Sequence, residues 1–206
     1  MNLETILWFM AAIPSIILHE ISHGYVALRC GDTTARDAGR LTLNPVSHID
    51  PIGTILMPAI LAFSHLPAIG YAKPVPVNMN RLRHPRNQSI YVSIAGPITN
   101  VLLSAVALGV CKILIVINNA STQNIFLFFE ILGIVNLWFA FINLLPIPPL
   151  DGSVLIERLI PRKSLPAYFR LRAQMLPFAL LILMGIMLLS AHTVILHIES
   201  IWLGLL

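Results

Sequence analysis

His19, Glu20 and His23 lie together in the stretch LHEISHG, at the end of a run that is otherwise apolar. Two histidines four positions apart on a helix share a face, so each can point a ring nitrogen at one cation, with Glu20 beside them. This is the H-E-x-x-H arrangement of zinc hydrolases, in which the histidines bind Zn²⁺ and the glutamate takes a proton from water. In hydrocarbon a carboxylate costs about 3 kcal/mol on insertion scales. A cluster that only glued helices together could be built from Ser or Asn without that cost. The residue types therefore point to chemistry.

A hydrolytic zinc site needs a third protein ligand and an open fourth position. Glu130 falls near the outer end of its helix and Glu157 sits among basic loop residues, which leaves Asp151, in NLLPIPPLDGS at residues 143–153. Asp151 closes one apolar run at the same end of the membrane at which His19 and His23 close another, so the depths agree.

The elements that must position these residues are membrane helices. Of 206 residues, 57% are hydrophobic and 11% charged, with a mean hydropathy of +0.83, too apolar for a soluble domain of this length. Apolar runs at Leu3 to Leu28, Ser89 to Ile117, Ile125 to Leu145 and Ala173 to Ala191 are each long enough to cross about 30 Å of hydrocarbon. Pro51 to Leu66 is shorter and broken by Gly53 and Pro58, and the tail from His192 to Leu206 reads as an interfacial helix or a weak last span. The expected fold is an all-α membrane protein, a polytopic bundle of four to six transmembrane segments with short membrane-associated strands. Residues 1–206 are expected to form one integral-membrane domain with a retained N-terminal segment, since MNLETILWFM carries no basic leader or cleavage signal.

Twelve of the 13 Lys and Arg set the sidedness. Three (Arg29, Arg36, Arg40) follow the first run, four (Lys73, Arg81, Arg83, Arg86) precede the second, and five (Arg158, Arg162, Lys163, Arg170, Arg172) separate the third from the fourth. NNASTQN, between the second and third, has none, so the basic loops are expected on the cytoplasmic side. The net charge of +4 is a topology signal, and no nucleic-acid partner is indicated. His23 and Asp151 must meet at one ion with two long crossings between them, so Pro51 to Leu66 is expected to enter and return, breaking at Pro58.

Several motifs have blander readings. GRLTLNPVSHIDPIGT, residues 39–54, reads as a short strand followed by turns, with His48 and Asp50 making turn hydrogen bonds in preference to a second metal site. Cys30 and Cys111 lack ligand spacing and read as packing. In AGPITN, residues 95–100, small residues allow close helix approach, Pro97 bends the helix, and Asn100 is read as an interhelical hydrogen bond. The prolines Pro146, Pro148 and Pro149 impose extended backbone, which survives at membrane depth only where protein or a wet cavity satisfies it. In YAKPVPVN, residues 71–78, Pro74 and Pro76 remove donors from one edge of a strand and leave Val75 and Val77 to donate from the other. That edge either pairs with an unwound substrate or is simply guarded by its prolines.

HEISH in a first core span, NLLPIPPLDG closing a later one and AGPITN between them resemble the site-2 protease family of intramembrane zinc metalloproteases, over roughly residues 10–155. The resemblance implies one Zn²⁺ per chain held by His19, His23 and Asp151, Glu20 as catalytic base, and Asn143 helping to hold or polarise the substrate backbone. It further implies a prokaryotic membrane enzyme acting on transmembrane protein substrates near the cytoplasmic face, here without room for the PDZ or CBS domains of larger members. Two other readings stay open. A metal-ion transporter would spread its ligands along a route to the other face, and a catalytically inactive binding protein would have no need of Glu20. Oligomeric state is not legible.

Overall fold

The computed structural model describes residues 3–56, 60, 63, 72–117 and 119–206. Among the described residues six α-helices follow in order: α1 Leu3–Arg29, α2 Thr34–Asp37, α3 Pro85–Ile117, α4 Gln123–Leu144, α5 Ser153–Leu159 and α6 Leu165–Leu203. Three stretches among the described residues are long and apolar enough to cross a membrane: Leu3–Arg29, Pro85–Ile117 and Ala120–Leu144. The fourth apolar run and the tail from His192 lie on one helix, α6. The tail is therefore the end of that helix and not an element of its own.

α4 sits at the centre because it is apolar nearly all round, as a helix enclosed by others must be. On one side Ile131 and Val135 pack against Leu7 and Ala11 of α1. On another, Ile134 and Trp138 meet Ala107 and Cys111 of α3 and Ile198 and Trp202 from the end of α6. Gly133 makes this last contact possible, since a Cβ there would overlap the Trp202 indole. α3 runs through Pro97 without ending, and exposed Val106, Ile113 and Val116 form an apolar surface suited to lipid.

No strand forms among the described residues, which corrects two expectations. In residues 39–54, Asn44 turns its side chain onto the Val46 amide and Pro45 opens a single 3-10 turn to His48, so alternation gives way to side-chain capping. In residues 72–78 the amides of Lys73, Val75 and Asn78 go to three separate acceptors: the His48 carbonyl, Glu20 Oε2 and Asp32 Oδ2. A strand needs a single neighbouring chain to supply its acceptors, and among the described residues none does.

These bonds also bear on topology. The Lys73 amide donates to the His48 carbonyl at 2.9 Å and Arg40 Nη2 donates to the Lys73 carbonyl at 2.8 Å, so residues 48 and 73 meet at one place, which supports the expected return. The expected break at Pro58 lies outside the described residues. Cysteines placed at Ser47 and at Asn80 should consequently be labelled by an impermeant thiol reagent from the same side of sealed vesicles; labelling from opposite sides would refute the return.

Asp32 ties the end of α1 to this returning segment. Gly31, at φ 113°, turns the chain so that Asp32, wholly buried, accepts from the Thr34 amide and hydroxyl and from the Asn78 amide at 2.6 Å. Burial opposes its ionisation, yet these donors hold its carboxyl below the ordinary carboxylate range. A depressed pKa means that the tie is fully present above the unfolded value of about 3.9 and is lost as pH falls through the folded one. Asp32→Ala should thus lower stability at neutral pH by about 1–3 kcal/mol, the cost of orphaned buried amides. The gap to the wild type in thermal unfolding should narrow on acidification, and a gap independent of pH would refute the tie.

Candidate metal centre

One turn of α1 brings the rings of His19 and His23 edge to face, with their Nε2 atoms 3.0 Å apart. Asp151 reaches them from the loop that follows α4. Pro146 pushes Leu145 into extended backbone (ψ 134°) and ends the helix there. The chain then doubles back so that the Gly152 amide donates to the Asn143 carbonyl at 2.7 Å. Only glycine fits at 152, because a Cβ would overlap the Leu144 carbonyl. The fold-back leaves Asp151 Oδ2 at 3.2 Å from His19 Nε2 and 3.3 Å from His23 Nε2.

The tautomers make this convergence informative. His23 Nδ1 donates to the Val92 carbonyl at 2.7 Å, and a carbonyl can only accept, so the His23 proton sits on Nδ1 and Nε2 offers a lone pair. His19 Nδ1 meets Asn100 Oδ1 at 2.6 Å with the same result. Two imidazole lone pairs and a carboxylate oxygen then face one another, and Asp151 Oδ2 has no hydrogen-bond partner. Such a group of electron pairs, mostly shielded from solvent, repels itself unless a cation lies among it. Around a tetrahedral Zn²⁺ with ligands at about 2.0–2.1 Å, neighbouring ligand atoms lie about 3.3 Å apart. The separations found here match that spacing, so the donor set fits zinc. Among the described residues, this is the one grouping of three or more His, Cys, Asp or Glu able to share an ion.

Space is kept for the centre by Gly96 of α3. A Cβ at this position would fall on His19 Cε1 and on the Nε2 atoms of both histidines. Gly24 does the same for the returning segment, since a Cβ there would strike Val75 and Leu41. Val75 is thereby seated against α1, where its amide donates to Glu20 Oε2 at 2.8 Å. That contact corrects the expected open edge, because the Val75 donor is already taken up. Glu20 is only partly buried. Asn143 stands on the last turn of α4, its Nδ2 bonded to the Phe139 carbonyl at 3.0 Å, at the point where the Asp151 loop leaves and rejoins the helix.

His48 and Asp50 make the turn contacts expected of them: His48 Nε2 donates to the Thr42 carbonyl at 2.9 Å and Asp50 Oδ1 accepts from the Ile52 and Gly53 amides. Asn100 is the interhelical hydrogen bond read from the sequence, but its partner is His19 itself. Asn136, wholly buried and bonded to Asn100 at 2.7 Å, went unread. Its signal was available: a lone amide in the middle of an apolar run is as conspicuous in lipid as a charge.

The family model of peptidase family M50 matches residues 108–184, a range that includes Asn143 and Asp151. A Bacillus subtilis protein named "Putative zinc metalloprotease YwhC" is 40% identical over 153 residues, 72% of this chain and 67% of that protein. The chain belongs to peptidase family M50, the site-2 proteases. Other M50 relatives are named "Putative zinc metalloprotease Rip2": one from Mycolicibacterium smegmatis is 32% identical over 73% of this chain, and one from Mycobacterium tuberculosis is 30% identical over 77%. The chain spans 54% and 62% of the length of these two. No solved structure matches the chain.

If the M50 centre is built as its geometry indicates, Gly96→Ala should lower zinc affinity at least tenfold, measured by competition with a chromophoric chelator, although position 96 carries no ligand. Asp151→Ala and His23→Ala should lose zinc outright. Full zinc occupancy in Asp151→Ala would remove that residue from the centre.

Proposed function

We propose that this chain is an intramembrane zinc metalloendopeptidase that cleaves a peptide bond within or next to a transmembrane segment of a membrane-protein substrate. The observation that carries the reading is the convergence of His19 Nε2, His23 Nε2 and Asp151 Oδ2 within 3.0–3.3 Å, with Glu20 on the same apolar helix. In it, His19, His23 and Asp151 hold the zinc. A bound zinc ion supplies Lewis acidity to water and to a peptide carbonyl.

Glu20 takes the proton from the attacking water. As the water oxygen bonds to the scissile carbonyl carbon and the C–N bond breaks, Glu20 returns that proton to the departing amine, so the carboxylate ends as it began. The Val75 amide holds Oε2 and leaves Oε1 as the atom that carries the proton. Asn143, with one Nδ2 hydrogen on Phe139, has a second to offer the substrate carbonyl as negative charge develops. A helical substrate hides its carbonyls in its own hydrogen-bond ladder, so segments with Gly or Pro near the cut are the favoured targets. The basic loops around the centre support a site near the cytoplasmic face of a bacterial membrane. An intact Glu20 distinguishes this reading from a binding protein, and the single ligand cluster among the described residues distinguishes it from a transporter.

Glu20→Gln decides the matter. In proteoliposomes holding a model transmembrane substrate, the variant should keep its zinc while cleavage falls about a hundredfold or more, the range for loss of a general base. Chelation should stop the wild type. Turnover near wild type in Glu20→Gln would remove that residue from the mechanism.

A further inference from the structure

His19 and His23 are fixed in different ways. His23 leans directly on a backbone carbonyl, whereas His19 meets the side-chain amide of Asn100, a group that could present either oxygen or nitrogen. Which end faces His19 decides which ring nitrogen carries the proton. If Nδ2 faced the ring, Nδ1 would have to accept and the proton would move to Nε2, the atom that the metal reading requires to be bare.

The amide orientation is set further away. Asn136 Nδ2 lies 2.8 Å from the Leu132 carbonyl and 2.8 Å from Ser15 Oγ, and the Ser15 hydroxyl donates to the Ala11 carbonyl at 2.7 Å. Two backbone carbonyls, which can only accept, thus oblige Asn136 to turn its nitrogen toward them and its oxygen toward Asn100. Asn100 must then donate through Nδ2, at 2.7 Å, and show Oδ1 to His19. Every hydrogen bond in the series runs away from the ring. Asn100 and Asn136 are both wholly buried and Ser15 nearly so, so water does not offer a substitute partner.

Resting on the metal reading above, we infer that Asn100 and Asn136 are positioning residues, a one-way hydrogen-bond relay across α1, α3 and α4 that sets the His19 tautomer and keeps Nε2 free for the ion. Asn136 acts on the centre although it bonds no ligand. Removing it frees the Asn100 amide to turn over, and the ring proton can then move to Nε2.

Zinc affinity and the His19 tautomer, read from ¹⁵N-histidine spectra of the zinc-free protein, test this directly. Wild type should show His19 protonated at Nδ1. Asn136→Leu should lower zinc affinity about 10–100-fold, the usual effect of disturbing a group behind a ligand, and should lose the single tautomer. Asn136→Asp keeps an acceptor for Asn100 Nδ2 and should retain both. Ser104→Ala provides the structural control: Ser104 bonds the Gly133 carbonyl of α4 and the Trp202 indole of α6 from the same helix that carries Asn100, so it should lose stability without losing zinc affinity. Unchanged zinc affinity and tautomer in a folded Asn136→Leu would overturn the relay. A wild-type His19 protonated at Nε2 would overturn it whether or not any variant folds. Failure of the metal reading would look different, since His23→Ala would then hold zinc as well as the wild type does.

Discussion

A polar group at membrane depth must find its partner inside the protein, because lipid offers none. That constraint explains most of the interior. His23 turns to the Val92 carbonyl, Asn143 to Phe139 and Ser104 to Gly133, each drawing on a backbone oxygen of a helix that is already hydrogen-bonded. Other buried polar atoms also lack a partner, Arg40 Nε and Ser153 Oγ among them, but at one place three acceptors face one another, the two Nε2 nitrogens and Asp151 Oδ2. Isolated unpartnered atoms mark nothing by themselves, whereas three lone pairs turned toward one point repel one another unless a cation lies among them.

The helices are arranged to make that exception possible. α4 supplies the apolar centre and also, by ending at Leu145, the loop that swings Asp151 back toward α1. α3 approaches α1 closely enough for its backbone to cap one histidine and its Asn100 to cap the other, and Gly96 leaves the hollow between. The same economy of side-chain bulk recurs at Gly24, Gly133 and Gly152, each facing a contact that a Cβ would block. At Gly24, Gly96 and Gly133 a neighbouring side chain is seated against bare backbone, and at Gly152 backbone meets backbone, the small-residue packing expected where lipid competes with protein for apolar contact.

Much of this was legible in the sequence, and the reason is lipid. His19, Glu20, His23 and Asp151 stand out because charge is costly there, and the structure brings the two histidines and the aspartate to one point. The first three helical runs were legible for the same reason, with boundaries displaced by a few residues, whereas the fourth, read as Ala173 to Ala191, is the middle of a helix that runs Leu165–Leu203. The segments outside the apolar runs were harder. Residues 39–54 and 71–78 alternate like strands, but their amides are taken by Asn44, Glu20, Asp32 and His48, acceptors that no periodicity reveals. Asn136 escaped because one neutral residue in an apolar run carries no charge to draw the eye, and its significance depends on what lies on two other helices.

The meeting of His48 with Lys73 has a consequence for how such proteins can vary. A segment whose ends are clasped together can change in length or content without altering the side of the membrane on which any later residue lies. The entropy of closing a longer loop rises only slowly, by roughly 0.6 kcal/mol for each doubling. Insertions between these two positions are therefore silent for the rest of the architecture.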